Sequence, residues 1–137
     1  MTLDQLHGAR FLVWTPVVGN ILLAVWAGVS ALRARRTLSP AFWATLLLVL
    51  AVLAVQAVPG ALLFLAGARP RTWLHLLYAV LVVAGGVAQY GLRPGGALRR
   101  VVASTPGTFR EPRVMALLCL TQAALIIRAW MTAVPGP

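Results

Sequence analysis

Residues 41–65 read AFWATLLLVLAVLAVQAVPGALLFL and contain no charged side chain. A helix needs about 20 consecutive, mostly apolar residues to cross the hydrocarbon core of a bilayer. Three other stretches of the chain reach that length, so that the set comprises residues 11–32, 41–65, 74–92 and 114–133. The sequence therefore predicts four transmembrane helices.

The composition of the whole chain agrees with this prediction. Of its 137 residues, 61% are hydrophobic and 10% are charged, whereas about a quarter of the residues of a soluble domain are charged. A water-soluble fold of this composition would expose large apolar patches. We therefore expect residues 1–137 to form one all-α integral membrane domain. Because the first two connections are short, the expected architecture is an up-down-up-down four-helix bundle.

Arginines set the expected orientation of this bundle. The chain has twelve arginines and no lysine, with a formal net charge of +10. They flank apolar runs and do not form a basic face with interleaved aromatics, which favours lipid headgroups as their partners and argues against nucleic acid. Eight lie in the first and third loops: Arg33, Arg35, Arg36, Arg93, Arg99, Arg100, Arg110 and Arg113. The positive-inside rule then predicts a multi-pass protein of the cell's inner (plasma) membrane with both termini outside.

Several residues are expected to organise the helix ends. Thr2 and Gln5 have the spacing of a capping box, Ser39 precedes a proline that can start a helix, and Thr72 is a candidate cap for the third span. Glu111 places an acid at the positive end of the fourth helix. The stretch 97–103 is expected to lie on the inner surface, with Arg99 and Arg100 near anionic lipid.

The inventory of reactive groups argues against enzyme chemistry. Asp4 and Glu111 are the only acids, and the predicted topology puts them on opposite sides of the membrane. The sequence contains none of the HExxH, GxSxG or phosphate-loop motifs. A single cysteine, Cys119, excludes an intrachain disulfide and a multi-cysteine metal site. We expect no catalytic activity of the chain's own.

Polar residues at membrane depth are the best sequence signal for a site, because each needs a partner there. The predicted topology collects most of them in the outer half, namely His7, Arg10, Asn20, Gln56, His75 and Arg128. Pro16 and Pro59 fall in the same half, and each removes one intrahelical hydrogen bond. Asn20 and Gln56 lie at similar depth and are expected to bond each other. Gln56 is alternatively a quinone contact.

His75 is the central candidate of this set. It begins a face of the third helix that continues through Gly85 or Gly86, and a histidine followed by glycines suits a haem. The glycines equally suit close helix packing, which is also the role expected of Gly28 on the first helix. The alternatives for His75 are an interfacial residue bonded to a neighbouring carbonyl and a proton-transfer group.

His7 is expected at the same membrane surface as His75. This placement makes His7 and His75 candidate ligands of a haem iron or another metal. Candidate partners for the acidic groups of such a ligand are Arg10, Arg71 and Arg128.

Four segments carry a resemblance to known proteins: LHGARFLVW (6–14), VLAVQAVPGALLFLAG (52–67), HLLYAVLVVAGG (75–86) and IIRAWMTA (126–133). Together they resemble small four-helix bacterial membrane proteins that are cytochrome b-like. The resemblance implies His7 and His75 as the ligands of a haem b. The chain has two histidines where a diheme b-type cytochrome has four, so one bis-histidine haem is the most that it can hold.

Two functions follow as expectations. The first is a non-catalytic structural or accessory subunit of a larger membrane complex, an energy-converting one being the kind we favour, because the chain is small and carries little reactive chemistry. The second is an electron-transfer protein that binds one haem b or a quinone in the outer leaflet, at a site formed by His7, His75, Arg10, Gln56 and Arg128. Both functions require the lipid bilayer, and the first requires other membrane protein subunits.

Overall fold

A computed structural model describes residues 2, 5, 7, 9–70, 72–104 and 109–133 of the chain. Within them it contains helices and no strand: α1 (Arg10–Leu32), α2 (Pro40–Leu65), α3 (Trp73–Gly91), α4 (Ala97–Val102) and α5 (Glu111–Ala133). All except the short α4 are long and apolar enough to cross a membrane. Their bounds lie within three residues of the four predicted segments. The chain is an all-helical, multi-pass membrane protein.

The helix ends follow the local sequence signals. The Thr2 backbone N–H donates to the side-chain oxygen of Gln5 (3.0 Å), and the Gln5 N–H donates to the Thr2 hydroxyl (3.3 Å), which is the predicted reciprocal pair. Ser39 caps α2 by accepting a hydrogen bond from the Phe42 N–H at 3.3 Å. Thr72 occupies the N-cap position of α3, but its side chain makes no capping hydrogen bond.

The helices pack unequally. α1 packs extensively against α5 and against α2, and α5 also packs against α3. α2 and α3 touch at only a few points, although they follow each other in the chain. The buried apolar core accordingly lies along α1, α2 and α5, and its largest fully buried side chains include Leu23, Phe42, Leu46 and Met115. An opening remains between α2 and α3.

Buried amide side chains connect the helices in the interior. The side-chain amide of Gln89 donates to the Asn20 side-chain oxygen at 2.7 Å, and that of Asn20 donates to the Pro16 carbonyl at 2.9 Å. Gln122 donates to the Val82 carbonyl at 2.8 Å. The predicted bond between Asn20 and Gln56 is wrong. The two residues share a depth, but Asn20 is fully buried and bonds across to α3 instead.

Two predicted small-residue positions differ in what they contact. A side chain at Gly85 would overlap the side-chain oxygen of Gln122, so Gly85 serves close packing between α3 and α5. Gly28 faces open space, and a Cβ atom added there would have no neighbour within 4 Å. On α1 the close approach falls at Gly19 instead, where an added Cβ would lie 2.5 Å from Val49.

An ion pair closes the opposite end of the bundle from His7. Glu111 is buried, accepts a hydrogen bond from the Leu38 N–H at 2.7 Å, and pairs with the guanidinium of Arg99. Arg99 also approaches the Leu92 carbonyl (3.5 Å). The prediction that Arg99 faces lipid is therefore wrong, because α4 turns it inward to the one buried acid among the described residues. Arg100 is exposed, and its contact with anionic lipid stays a prediction.

We expect Glu111→Ala to lower the free energy of unfolding by about 3 kcal/mol, the scale for removing one partner of a buried ion pair. The substitution leaves the Leu38 N–H and the Arg99 guanidinium without their acceptor. Unfolding by sodium dodecyl sulfate in mixed micelles, followed by circular dichroism, measures the change. Arg100→Ala is the matched control, since Arg100 is exposed on the same short helix. Equal midpoints for the two variants would contradict the assigned role of Glu111.

Candidate functional site

The two histidines of the chain lie side by side. Their ring centroids are 6.2 Å apart and the ring planes are inclined at 80°. His7 precedes α1 and His75 lies in the first turn of α3. The two residues are therefore far apart in the sequence and neighbours in the fold. The predicted proximity of His7 and His75 is present in the structure.

His7 is held against the C-terminal half of α2. Its Nδ1 lies 3.1 Å from the carbonyl oxygen of Gln56. The ring packs directly on Gly60, where an added Cβ would lie 2.6 Å from the His7 Cε1 atom. Any larger residue at position 60 would push the ring away. Gly60 therefore provides the space in which the His7 ring lies.

His75 is held in the same way by α5. Its Nδ1 lies 2.9 Å from the carbonyl oxygen of Ala129. The Thr132 hydroxyl donates to the same carbonyl at 2.9 Å. Ala129 lies near the C-terminal end of α5, where the last carbonyls of a helix lack intrahelical partners or share them. The carbonyl is thus available to both side chains.

These two contacts determine the chemistry of the free ring edges. A carbonyl oxygen can only accept a hydrogen bond, so Nδ1 of each ring carries the proton. In a neutral ring Nε2 then presents a lone pair. No group in the described part of the chain bonds either Nε2. Two acceptors cannot bond each other, so each Nε2 is open to a donor or to an electron-pair acceptor such as a metal ion.

The ring spacing fits a single metal atom. A metal–nitrogen bond to histidine is about 2.0–2.1 Å long and the ring centre lies about 1.1 Å beyond the nitrogen, so two imidazoles on opposite sides of one metal have centroids about 6.3 Å apart. The observed distance is 6.2 Å. A donated Nδ1–H bond to a carbonyl is also the usual outer contact of a metal-binding histidine.

A pocket of about 890 Å³ adjoins the histidines. It lies in the opening between α2 and α3 and is closed on one side by α5. Its walls are mainly apolar, with small residues that include Ala57 and Gly60 on α2 and Ala79 on α3. Both His7 and His75 line it. Its volume lies in the range of pockets that bind cofactors and drug-sized ligands.

The predicted site residues separate into two groups. His7, His75 and Gln56 line the pocket, and Gln56 contributes its backbone carbonyl to His7. Arg10 and Arg128 lie on exposed faces of α1 and α5 and do not line the pocket, so their part in the site stays a prediction. Arg71, the third arginine considered as a partner for acidic groups, lies outside the described residues.

Three contributors to the site were not predicted. They are Gly60, the Ala129 carbonyl and Arg69, which lines the pocket at the turn after α2. Backbone carbonyls carry no sequence signal. Arg69 does carry one, since Gly67 two residues earlier marks a helix C-terminus that turns the chain back.

Protein side chains alone do not form a full metal site here. No group of three or more histidine, cysteine or acidic residues that could hold a metal occurs in the described residues. A metal bound by His7 and His75 needs further ligands that it brings with it. A haem would bring four nitrogen ligands of its own, and His7 and His75 would be the residues that hold it.

Comparisons with known proteins identify no relative of this chain. No family model matches the chain, and neither a curated protein nor a solved structure matches it.

We expect nitrogen-15 NMR of histidine-labelled protein to show that Nδ1 of both rings carries a proton. Gly60→Ala should shift the His7 resonances towards a mixture of tautomers, because the new methyl group displaces that ring from the Gln56 carbonyl, and should leave His75 unchanged. Gly28→Ala is the control, since its methyl group meets open space. Protonation at Nε2 alone in the parent protein would contradict the assigned hydrogen bonds.

Proposed function

We propose that this protein binds one haem b between His7 and His75 and serves as a one-electron carrier in the membrane. The observation that supports the proposal most strongly is the pair of imidazole rings beside an apolar pocket, with their centroids 6.2 Å apart. Each ring donates its Nδ1–H to a backbone carbonyl. Each ring is held by its Nδ1 contact, and no hydrogen bond to either Nε2 is present within the described part of the chain.

The same observation favours haem over the quinone that the sequence left open. The carbonyl oxygens of an oxidised quinone accept hydrogen bonds, and so does Nε2 of a ring that carries its proton on Nδ1 alone. A quinone would therefore gain no hydrogen bond from the histidine pair. An iron centre is an electron-pair acceptor and is matched to both rings. The mainly apolar pocket between α2 and α3, with Ala57, Gly60 and Ala79 among its lining residues, offers space for a flat ligand.

When bound, the haem supplies one-electron transfer. His7 and His75 would hold the haem, and the carbonyls of Gln56 and Ala129 fix the tautomer of the two rings. With two protein ligands the site favours electron transfer over binding of a small substrate to the metal. Apolar walls exclude water from the ring faces. The scarcity of acids agrees with a carrier that has no catalytic activity of its own.

The proposed setting is the inner (plasma) membrane, crossed up-down-up-down with both termini outside. Contacts at the two ends support alternating helices: His7 and the start of α3 meet the C-terminal parts of α2 and α5, whereas Leu38 meets Glu111 at the other end. The excess of arginines in the first and third loops supports the orientation. The haem then lies in the outer leaflet.

Protein purified gently from haem-supplemented membranes is expected to show a reduced α-band at about 560 nm, characteristic of a bis-histidine haem b. His7→Ala and His75→Ala should each abolish the band, because one remaining imidazole gives a different ligation. Tyr78→Phe is the control, since Tyr78 lies one turn after His75 on α3 but does not line the pocket. An unchanged spectrum in His75→Ala, or no haem in folded parent protein, would refute the proposal.

A second proposal retains the accessory-subunit function, and the outer surface of α3 favours it. Only Val82, Gln89 and Gly91 are buried among the described residues of this helix. Its outer surface includes Leu77 and Leu81, which are exposed and do not line the pocket. In a larger membrane complex, helices of other subunits would cover this surface, and in an isolated protein lipid covers it.

For this second proposal we expect a partner to remain bound when the protein is extracted in a mild detergent or in native lipid particles. Leu77→Trp combined with Leu81→Trp should weaken that association, because the added bulk lies on the exposed face of α3 outside the pocket. Leu117→Trp on the exposed face of α5 is the control. Native mass spectrometry that finds only the single chain would contradict the subunit function.

A further inference from the structure

Arg69 is the one charged residue among the described residues that line the pocket. It is exposed at the turn between α2 and α3, and its guanidinium lies over the Phe64 ring, 5.2 Å from the ring centroid. Phe64 lines the same pocket. The cation thus lies at the rim of an apolar cavity and stacks on one of its walls.

The backbone fixes this position. α2 ends with Gly67 at φ +97°, a left-handed conformation that favours glycine. The Ala68 N–H bonds to the Leu63 carbonyl at 3.0 Å and the Gly67 N–H to the Phe64 carbonyl at 3.1 Å, which is the Schellman pattern. This turn reverses the chain just before Arg69. The arginine is therefore held over the last turn of α2, where Phe64 stacks against it.

No acid in the described part of the chain can neutralise Arg69. Glu111, the acid that the structure describes, lies at the other end of the bundle and is paired with Arg99. A guanidinium offers a rigid, planar set of donors that matches a carboxylate. Near an apolar cavity, such a pair is screened less by water than one on an open surface.

We propose that Arg69 binds a carboxylate at the polar end of the ligand whose body occupies the pocket. The inference rests on the proposed haem site and adds a recognition element to it. The ligand class is a flat, apolar molecule with an acidic edge, to which the two propionates of a haem correspond. Arg69 replaces Arg10 and Arg128 as the anchor of that edge.

The test compares haemin with its dimethyl ester, which lacks the charged carboxylates. Full-length protein is reconstituted in particles of phosphatidylcholine alone, and the two ligands are titrated by absorbance. Parent protein is expected to bind haemin roughly fivefold more tightly than the ester, the range of a partly exposed charge pair. Arg69→Gln should bind the two ligands equally. Arg128→Gln, an exposed arginine that does not line the pocket, should keep the parent preference.

The outcomes separate the two proposals. If parent protein binds neither ligand, the haem site itself is wrong. If parent protein binds both and Arg69→Gln keeps the parent preference for haemin, the haem site stands and the role of Arg69 is overturned. Repeating the titration with added phosphatidylglycerol identifies the source of the carboxylate or phosphate bound. A preference for haemin that persists in anionic lipid supports the ligand, and one that disappears shows that Arg69 binds lipid headgroups instead.

Discussion

Hydrocarbon offers no hydrogen bonds, and this constraint determines where the buried polar groups of the bundle lie. Gln89 donates a hydrogen bond to Asn20, and Gln122 donates one to the Val82 carbonyl. Glu111 accepts a hydrogen bond from the Leu38 N–H and forms an ion pair with Arg99. These bonds connect helices that apolar packing alone would allow to slide. The two histidines obey the same constraint, because each gives its Nδ1 proton to a carbonyl of another helix.

The opening between α2 and α3 follows from the way that α1 and α5 are packed. Their extensive contact forms the centre of the bundle, with α2 attached to α1 and α3 attached to α5. Because α2 packs on α1 and α3 packs on α5, α2 and α3 remain separated next to the short turn that joins them. Small residues such as Gly60 and Ala79 line both sides. A ligand in this opening would supply the packing that the two helices do not give each other.

Hydropathy could predict the four long helices because the thickness of a bilayer fixes their length. It also predicted that His7 and His75 lie at the same end of the bundle, because each is close to the start of an apolar segment. Depth is encoded in position along a span, whereas the direction in which a residue faces depends on packing among similar apolar surfaces. Asn20 was therefore placed at the correct depth and given the wrong partner. The arginines follow the same rule. A charge count predicts the side of the membrane, but α4 docks Arg99 on Glu111, and a glycine turn sets the direction of Arg69.

From the sequence, His75 is either bonded to a neighbouring carbonyl or a ligand. In the structure the two roles are compatible. The Nδ1–H bond that satisfies a buried ring also selects the tautomer that leaves Nε2 free to bind a metal. What distinguishes a structural histidine from a ligand is therefore the other edge of the ring. If His75 were alone, a lone pair facing a pocket would need no explanation beyond lipid or water. Here two histidine rings from distant parts of the chain lie beside one pocket with their centroids 6.2 Å apart, a pairing that one ligand could reach from between them. That pairing is the physical ground on which a bound haem is favoured here.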